Sequence, residues 1–146
     1  MDSRLRAKIF RRFAYLLFGL FVVNALANYF YWYQSFASFD RLMHFTGGIV
    51  GSLFLAWLFY DKYLKFLSSK KIKKLLIFNT LVFLAAATLW EVMEFSVQGI
   101  FGLDHLLANP MDSVDDLIFG TLGSLVGITY FLNKVRDLKI LKNERN

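Results

Sequence analysis

Residues 71–95 read KIKKLLIFNTLVFLAAATLWEVMEF. Three lysines precede an apolar run from Leu75 to Phe95, and two glutamates, Glu91 and Glu94, stand near its far end. About 20 residues at 1.5 Å rise cross the hydrocarbon core of a bilayer, so the run has spanning length. Lipid offers no partner for backbone N–H and C=O groups, which leaves a helix as the form that crosses. A barrel needs short alternating strands, and this run is continuous.

Three further runs share this character: Phe13–Tyr33, Leu42–Tyr60 and Val114–Leu132. The chain has 146 residues, 57% of them hydrophobic and 18% aromatic. A soluble domain of this size leaves too many residues in contact with water to hide that much apolar surface. The expected fold is all-α: a four-helix transmembrane bundle forming one integral membrane domain over residues 1–146. There is no cysteine, hence no disulfide and no thiolate metal ligand.

The net charge of +6 is unevenly placed. Sixteen of the seventeen Lys and Arg residues fall in three clusters, Arg4–Arg12, Lys62–Lys74 and Lys134–Arg145; the exception is Arg41. Seven of the eleven acids (Asp40, Glu91, Glu94, Asp104, Asp112, Asp115, Asp116) lie at the opposite ends of the spans or in the loops there. Basic residues in short loops and tails stay on the cytoplasmic side. Both termini are therefore expected inside, with the acidic ends outside. This pattern belongs to membrane topology and argues against a nucleic-acid partner. A basic start, an apolar core and Ala25-Leu26-Ala27 also fit a cleaved signal peptide. The run continues, however, through Tyr29-Phe30-Tyr31-Trp32-Tyr33, an interfacial aromatic belt, so the first span is expected to be retained. Ser96–Met111 carries no Lys or Arg and is expected to lie along the outer interface or to re-enter the membrane.

Ionisable side chains inside spans face a partner, the bundle interior or a water-filled cavity. Asp40 and His44, in DRLMHFTGG, are four apart and share a helix face. Glu91 and Glu94, in WEVMEF, are three apart, and Asp112 and Asp116, in DSVDDLIFGTLG, are four apart. Asn24 and Asn28 place a further polar pair in the first span. Turned inward at similar depth, these faces make an outward-facing His/carboxylate pocket. Asp115, Asp104 and His105 read as surface charges. Carboxylates and imidazole suit a divalent metal ion, with Asp40, His44, Glu91, Glu94, Asp112 and Asp116 as candidate ligands. The same set suits proton transfer, with Glu91 as catalytic centre and His44 completing its site. Two G-x-x-x-G patterns, Gly47 to Gly51 and Gly123 to Gly127, suit a packing seam between spans two and four.

Taken in order, DRLMHFTGG, WEVMEF and DSVDDLIFGTLGSLVG make residues 40–130 resemble the YjdF-like group of small bacterial membrane proteins, similar in turn to the VanZ-like superfamily. The resemblance marks Asp40, His44, Glu91, Glu94, Asp112 and Asp116. Asp115 stands where that group often has an aromatic residue, and Gly120 where it usually has Asp or Asn. VanZ-like members are linked to glycopeptide tolerance, which implies the cell envelope, and the group implies a multi-pass protein of the bacterial plasma membrane.

The leading functional expectation is a pocket that handles a lipid head group or a lipid-linked envelope component, with membrane lipids as partners. The alternatives are a proton- or cation-coupled small-solute transporter, which four short spans suit best as a homodimer, and a structural or assembly partner. No nucleophile elbow, H-E-x-x-H helix or phosphate-cradling loop is present to mark a standard enzyme class.

Overall fold

The computed structural model describes residues 3–36, 38–68, 71–100 and 110–143. They form α1 (Ser3–Tyr29), α2 (Trp32–Ser35), α3 (Phe39–Leu58), α4 (Tyr60–Ser68), α5 (Ile72–Ile100) and α6 (Pro110–Asn143). Among the described residues, four segments are long and apolar enough to cross a membrane: Arg6–Tyr29, Phe39–Leu58, Ile72–Met93 and Ser113–Val135. They coincide with the four runs in the sequence, with shifted ends.

The early stop of the first span has a local cause. The first helix stops at Tyr29, not Tyr33, because Tyr31 takes a left-handed backbone with φ 57°. A bulky L-residue held there costs about 1–2 kcal/mol. The carbonyl of Tyr31 then accepts from Ser35 Oγ at 2.9 Å, and the short helix α2 folds back so that Tyr33 donates its hydroxyl to Asn24 Oδ1. At the other end of the chain's last helix, Pro110 occupies the first helical position, where its missing N–H is harmless. Ser96–Ile100 continue α5; the rest of the segment expected to lie at the interface falls mainly in residues 101–109, outside the described residues.

The bundle is built around one close pair, α3 against α6. A Cβ on Gly48 would run into the carbonyl oxygen of Gly120, and one on Gly123 into the carbonyl oxygen of Phe45. One on Gly127 would stand 2.8 Å from Ile49 O. Small residues let the two backbones touch, which is how membrane helices gain packing where lipid supplies no hydrophobic drive. The seam therefore takes in Gly123 and Gly127 of the expected set. On α3 it runs through Gly48, while Gly47 has nothing within 4 Å of its missing Cβ, and Gly51 faces the Phe83 ring of α5 at 3.1 Å.

Helix α1 leans on α3 through Phe13–Phe54 and Phe10–Trp57, each with ring centroids 5.1 Å apart. Arg12 Nη1 donates to Tyr130 OH of α6. The rest of α1, including Tyr15, Phe18 and Phe21, presents exposed apolar surface suited to lipid.

The buried core sits at the basic end, where Leu55, Ala56, Tyr60, Tyr63, Leu75, Ile128, Phe131 and Val135 pack with Ile9. Within it lies a polar knot drawn from four helices. Tyr63 OH donates to Asn79 Oδ1 at 2.8 Å. Asn79 Nδ2 donates to Ser124 Oγ at 2.9 Å and reaches Ser52 Oγ at 3.3 Å. Ser52 Oγ donates to the Ser124 carbonyl at 2.6 Å. Burial pushes the Tyr63 phenol pKa well up, so the hydroxyl stays a donor.

Candidate functional site

The acidic end differs from the basic end in how it packs. The Phe83 ring is wedged over Gly51 of α3 and Gly120 of α6. Beyond Phe83, α5 has no buried side chain among the described residues. The acidic ends of α3 and α6 stay together and bring three chemical groups into one place.

Asp40 lies in the first turn of α3, where a helix dipole favours negative charge. His44 follows one turn later on the same face. Asp116 comes from the facing helix α6 and is 8% exposed. His44 Nε2 stands 3.5 Å from Asp116 Oδ1 and 3.6 Å from Asp40 Oδ1. One ligand atom from each of the three residues lies within 4.8 Å of the other two.

Those distances are informative. An N–H···O hydrogen bond peaks near 2.9–3.0 Å, so neither contact is a good one. Ligand bonds of roughly 2.0–2.2 Å in tetrahedral geometry put neighbouring ligand atoms about 3.4 Å apart. Two edges of the triangle match that spacing, and one imidazole with two carboxylates is an ordinary ligand set for a divalent ion.

A latch flanks the cluster. Arg41 holds Asp115 through Nη2 at 2.6 Å and Nε at 3.1 Å on the same oxygen. Its guanidinium also lies 5.7 Å from the centre of the Phe119 ring. The two side chains are 49% and 38% exposed, so the pair contributes little stability. It does link α3 to α6 beside His44. Asp115, read from the sequence as a surface charge, thus has an assigned partner. The signal available was Arg41 itself, the one cation outside the basic clusters.

Of the sequence-expected site residues, the structure unites Asp40, His44 and Asp116. Glu91 is half-buried on α5 and stands outside this group. The side chains of Glu94 and Asp112 lie outside the described residues, as do Asp104 and His105 altogether. Asn24 and Asn28 serve local needs: Asn28 Nδ2 donates to the Asn24 carbonyl at 2.9 Å, and Asn24 Oδ1 accepts from Tyr33.

Over residues 3–137 the chain matches the model of a family described as predicted membrane proteins, DUF2238. The chain belongs to that family. No curated protein and no solved structure matches it. Membership covers all four spans and the cluster, which makes this a multi-pass membrane protein.

Proposed function

We propose that this DUF2238 protein binds a divalent cation at Asp40, His44 and Asp116 and through it handles an anionic lipid head group at the membrane face. The supporting observation is the convergence of three ligand atoms within 4.8 Å, with His44 Nε2 3.5 and 3.6 Å from the two carboxylates, close to the edges of a coordination shell. Three protein ligands leave positions open on a divalent ion, and a phosphate oxygen of a lipid is a hard ligand of the kind such ions accept. The resemblance to YjdF-like and VanZ-like proteins agrees with a role in the envelope. With basic residues retained inside, the cluster faces the outer leaflet. In this reading Glu91 is not a ligand of the site.

The deciding experiment is Mn²⁺ titration of the purified protein in nanodiscs, followed by electron paramagnetic resonance. Wild type is expected to bind one ion, and the phosphatidic acid content of the disc is expected to tighten it. Absence of saturable binding in wild type, or equal binding in an Asp116→Asn protein, overturns the reading and leaves a structural role for the cluster.

A further inference from the structure

The two stretches between Arg12 and Lys62 and between Lys74 and Lys134 hold a single Lys or Arg, which is Arg41. It stands in the first turn of α3. That helix has 20 residues, about the number that crosses the hydrocarbon of a bilayer, so Arg41 lies at head-group depth. Its neighbours there are acids. Asp40 and Asp116 of the cluster and Asp115 beside it outnumber Arg41, and the empty site repels an anion. A divalent ion on the cluster offsets that charge. Arg41 is then the one Lys or Arg that an incoming anion can meet.

The guanidinium is oriented but not saturated. Its Nε and Nη2 both donate to one oxygen of Asp115, at 3.1 and 2.6 Å, while the Phe119 ring lies 5.7 Å from it. Arginine carries five N–H donors, so three remain, two on Nη1 and one on Nη2. Nη1 makes no hydrogen bond among the described residues, and the side chain is half exposed. A free guanidinium edge of this kind binds two phosphate oxygens in parallel.

Arg41–Asp115 and His44–Asp116 are adjacent cross-helix pairs. Arg41 and His44 are three apart on α3, which makes them neighbours with about 5–6 Å between Cβ atoms. One phosphate can therefore meet the guanidinium and an ion on the cluster together. The guanidinium edge takes two oxygens and the ion a third. A terminal phosphate has three unesterified oxygens, whereas the diester of phosphatidylcholine has two.

We propose that Arg41 is the specificity-determining residue of this site, selecting a terminal phosphate whose third oxygen completes the ion on Asp40, His44 and Asp116. Asp115 only orients the guanidinium. The inference rests on the metal-site reading above and adds the class of ligand and the residue that recognises it.

The test measures how far phosphates tighten Mn²⁺ on the full chain in nanodiscs, by electron paramagnetic resonance with protein-free discs as blank. Phosphatidylcholine discs are compared with discs containing phosphatidic acid, a monoester, or phosphatidylglycerol, an anionic diester. Inorganic phosphate is added to phosphatidylcholine discs in a fourth series. Phosphatidic acid or inorganic phosphate is expected to tighten Mn²⁺ about tenfold, and phosphatidylglycerol much less. Which of the two acts tells whether the terminal phosphate is carried by a lipid or free. Arg41→Gln is expected to keep Mn²⁺ binding in phosphatidylcholine discs and to lose the monoester effect. Arg41→Lys, which keeps the charge without the fork, is expected to lose most of it. Asp115→Asn is expected to retain it, since Arg41 remains. Equal effects of phosphatidylglycerol and phosphatidic acid overturn the proposal, as does a monoester effect that survives Arg41→Gln. So does an Asp115→Asn protein that loses as much as Arg41→Gln, or loss of Mn²⁺ itself from Arg41→Gln, because Arg41 would then act only as a link between helices. The two readings fail differently. A wild type without saturable Mn²⁺ binding overturns both, whereas saturable binding that no monoester tightens overturns the role of Arg41 alone.

Discussion

At the scale of single residues, two kinds of polar side chain do different work. His44 and Asp116 stand 3.5 Å apart, the spacing of two ligands on one ion. His44→Ala and Asp116→Asn should each weaken Mn²⁺ binding by at least about 100-fold, beyond the roughly 10–100-fold that loss of an outer-shell partner costs. Glu91→Gln should leave that affinity unchanged, because Glu91 stands outside the group; a loss of metal there would put α5 in the site. Binding should also weaken in acid, since imidazole and carboxylates must shed protons to ligate. Tyr63 and Asn79, by contrast, satisfy each other, and an intramolecular hydrogen bond contributes about 0.5–1.5 kcal/mol net. Tyr63→Phe should therefore destabilise the bundle by about 1 kcal/mol. The Tyr63 phenol, ordinarily ionising at 10.0, is pushed up by burial. A group whose folded pKa is raised contributes stability that is present below its unfolded value and is lost as pH rises toward the folded one. Thermal unfolding in detergent should thus show a decline above about pH 10 that is shallower in Tyr63→Phe; parallel curves for the two proteins would count against the buried phenol.

At the scale of helices, the α3–α6 seam shows what spacing can and cannot convey. A G-x-x-x-G pattern reports a helical period, which is why Gly123 and Gly127 stand where their spacing implies. It does not report phase when glycines adjoin. Gly47 and Gly48 are a doublet, and the rotation of α3 that seats Gly48 on Gly120 turns Gly47 away. Gly48→Ala and Gly123→Ala should each destabilise the protein by about 1–3 kcal/mol, the usual range for forcing a methyl into a filled contact. Gly47→Ala should be neutral or slightly stabilising, because alanine is the better helix former. Unfolding in mixed micelles of increasing dodecyl sulfate content measures all three. The site follows the same rule. Asp40 with His44 was legible because i,i+4 spacing puts both on one face of one helix, and Asp116 because it shares a stripe with the glycines that pack. The place of Glu91 was not legible, since it depends on where α5 parts from its neighbours, and a single aromatic ring at Phe83 decides that. The Ser52–Asn79–Ser124 knot escaped notice because neutral polar residues in apolar runs carry no charge pattern.

For the whole molecule, the two ends are built on different principles, and charge tells them apart. The basic end is packed: Tyr60, Tyr63 and Leu75 are buried there beneath Lys62 and Lys65 of α4. Lys62 extends over the Phe78 ring, with Nζ 3.9 Å from its centre. That arrangement suits an amphipathic helix lying on an anionic leaflet, where each basic residue contributes about 1 kcal/mol of attraction. Among the described residues, the acidic end holds the cluster and the Arg41–Asp115 latch, with little buried apolar core. Function is better placed at the looser end, because ligand-binding regions come from the less stable part of a structure. The span count was legible in full, since apolar length alone sets it. The side each end faces depends on the cell's handling of positive charge, which predicts the basic end in the cytoplasm. The absence of cysteine makes this testable with single substitutions. Ser38→Cys, exposed between α2 and α3, should react in intact cells with an impermeant maleimide. Lys71→Cys, exposed between α4 and α5, should react only after the cells are lysed. Reaction of Lys71→Cys in intact cells, with Ser38→Cys protected, would invert the molecule and place the cluster against the inner leaflet. Mn²⁺ added outside would then no longer reach Asp116 in intact cells.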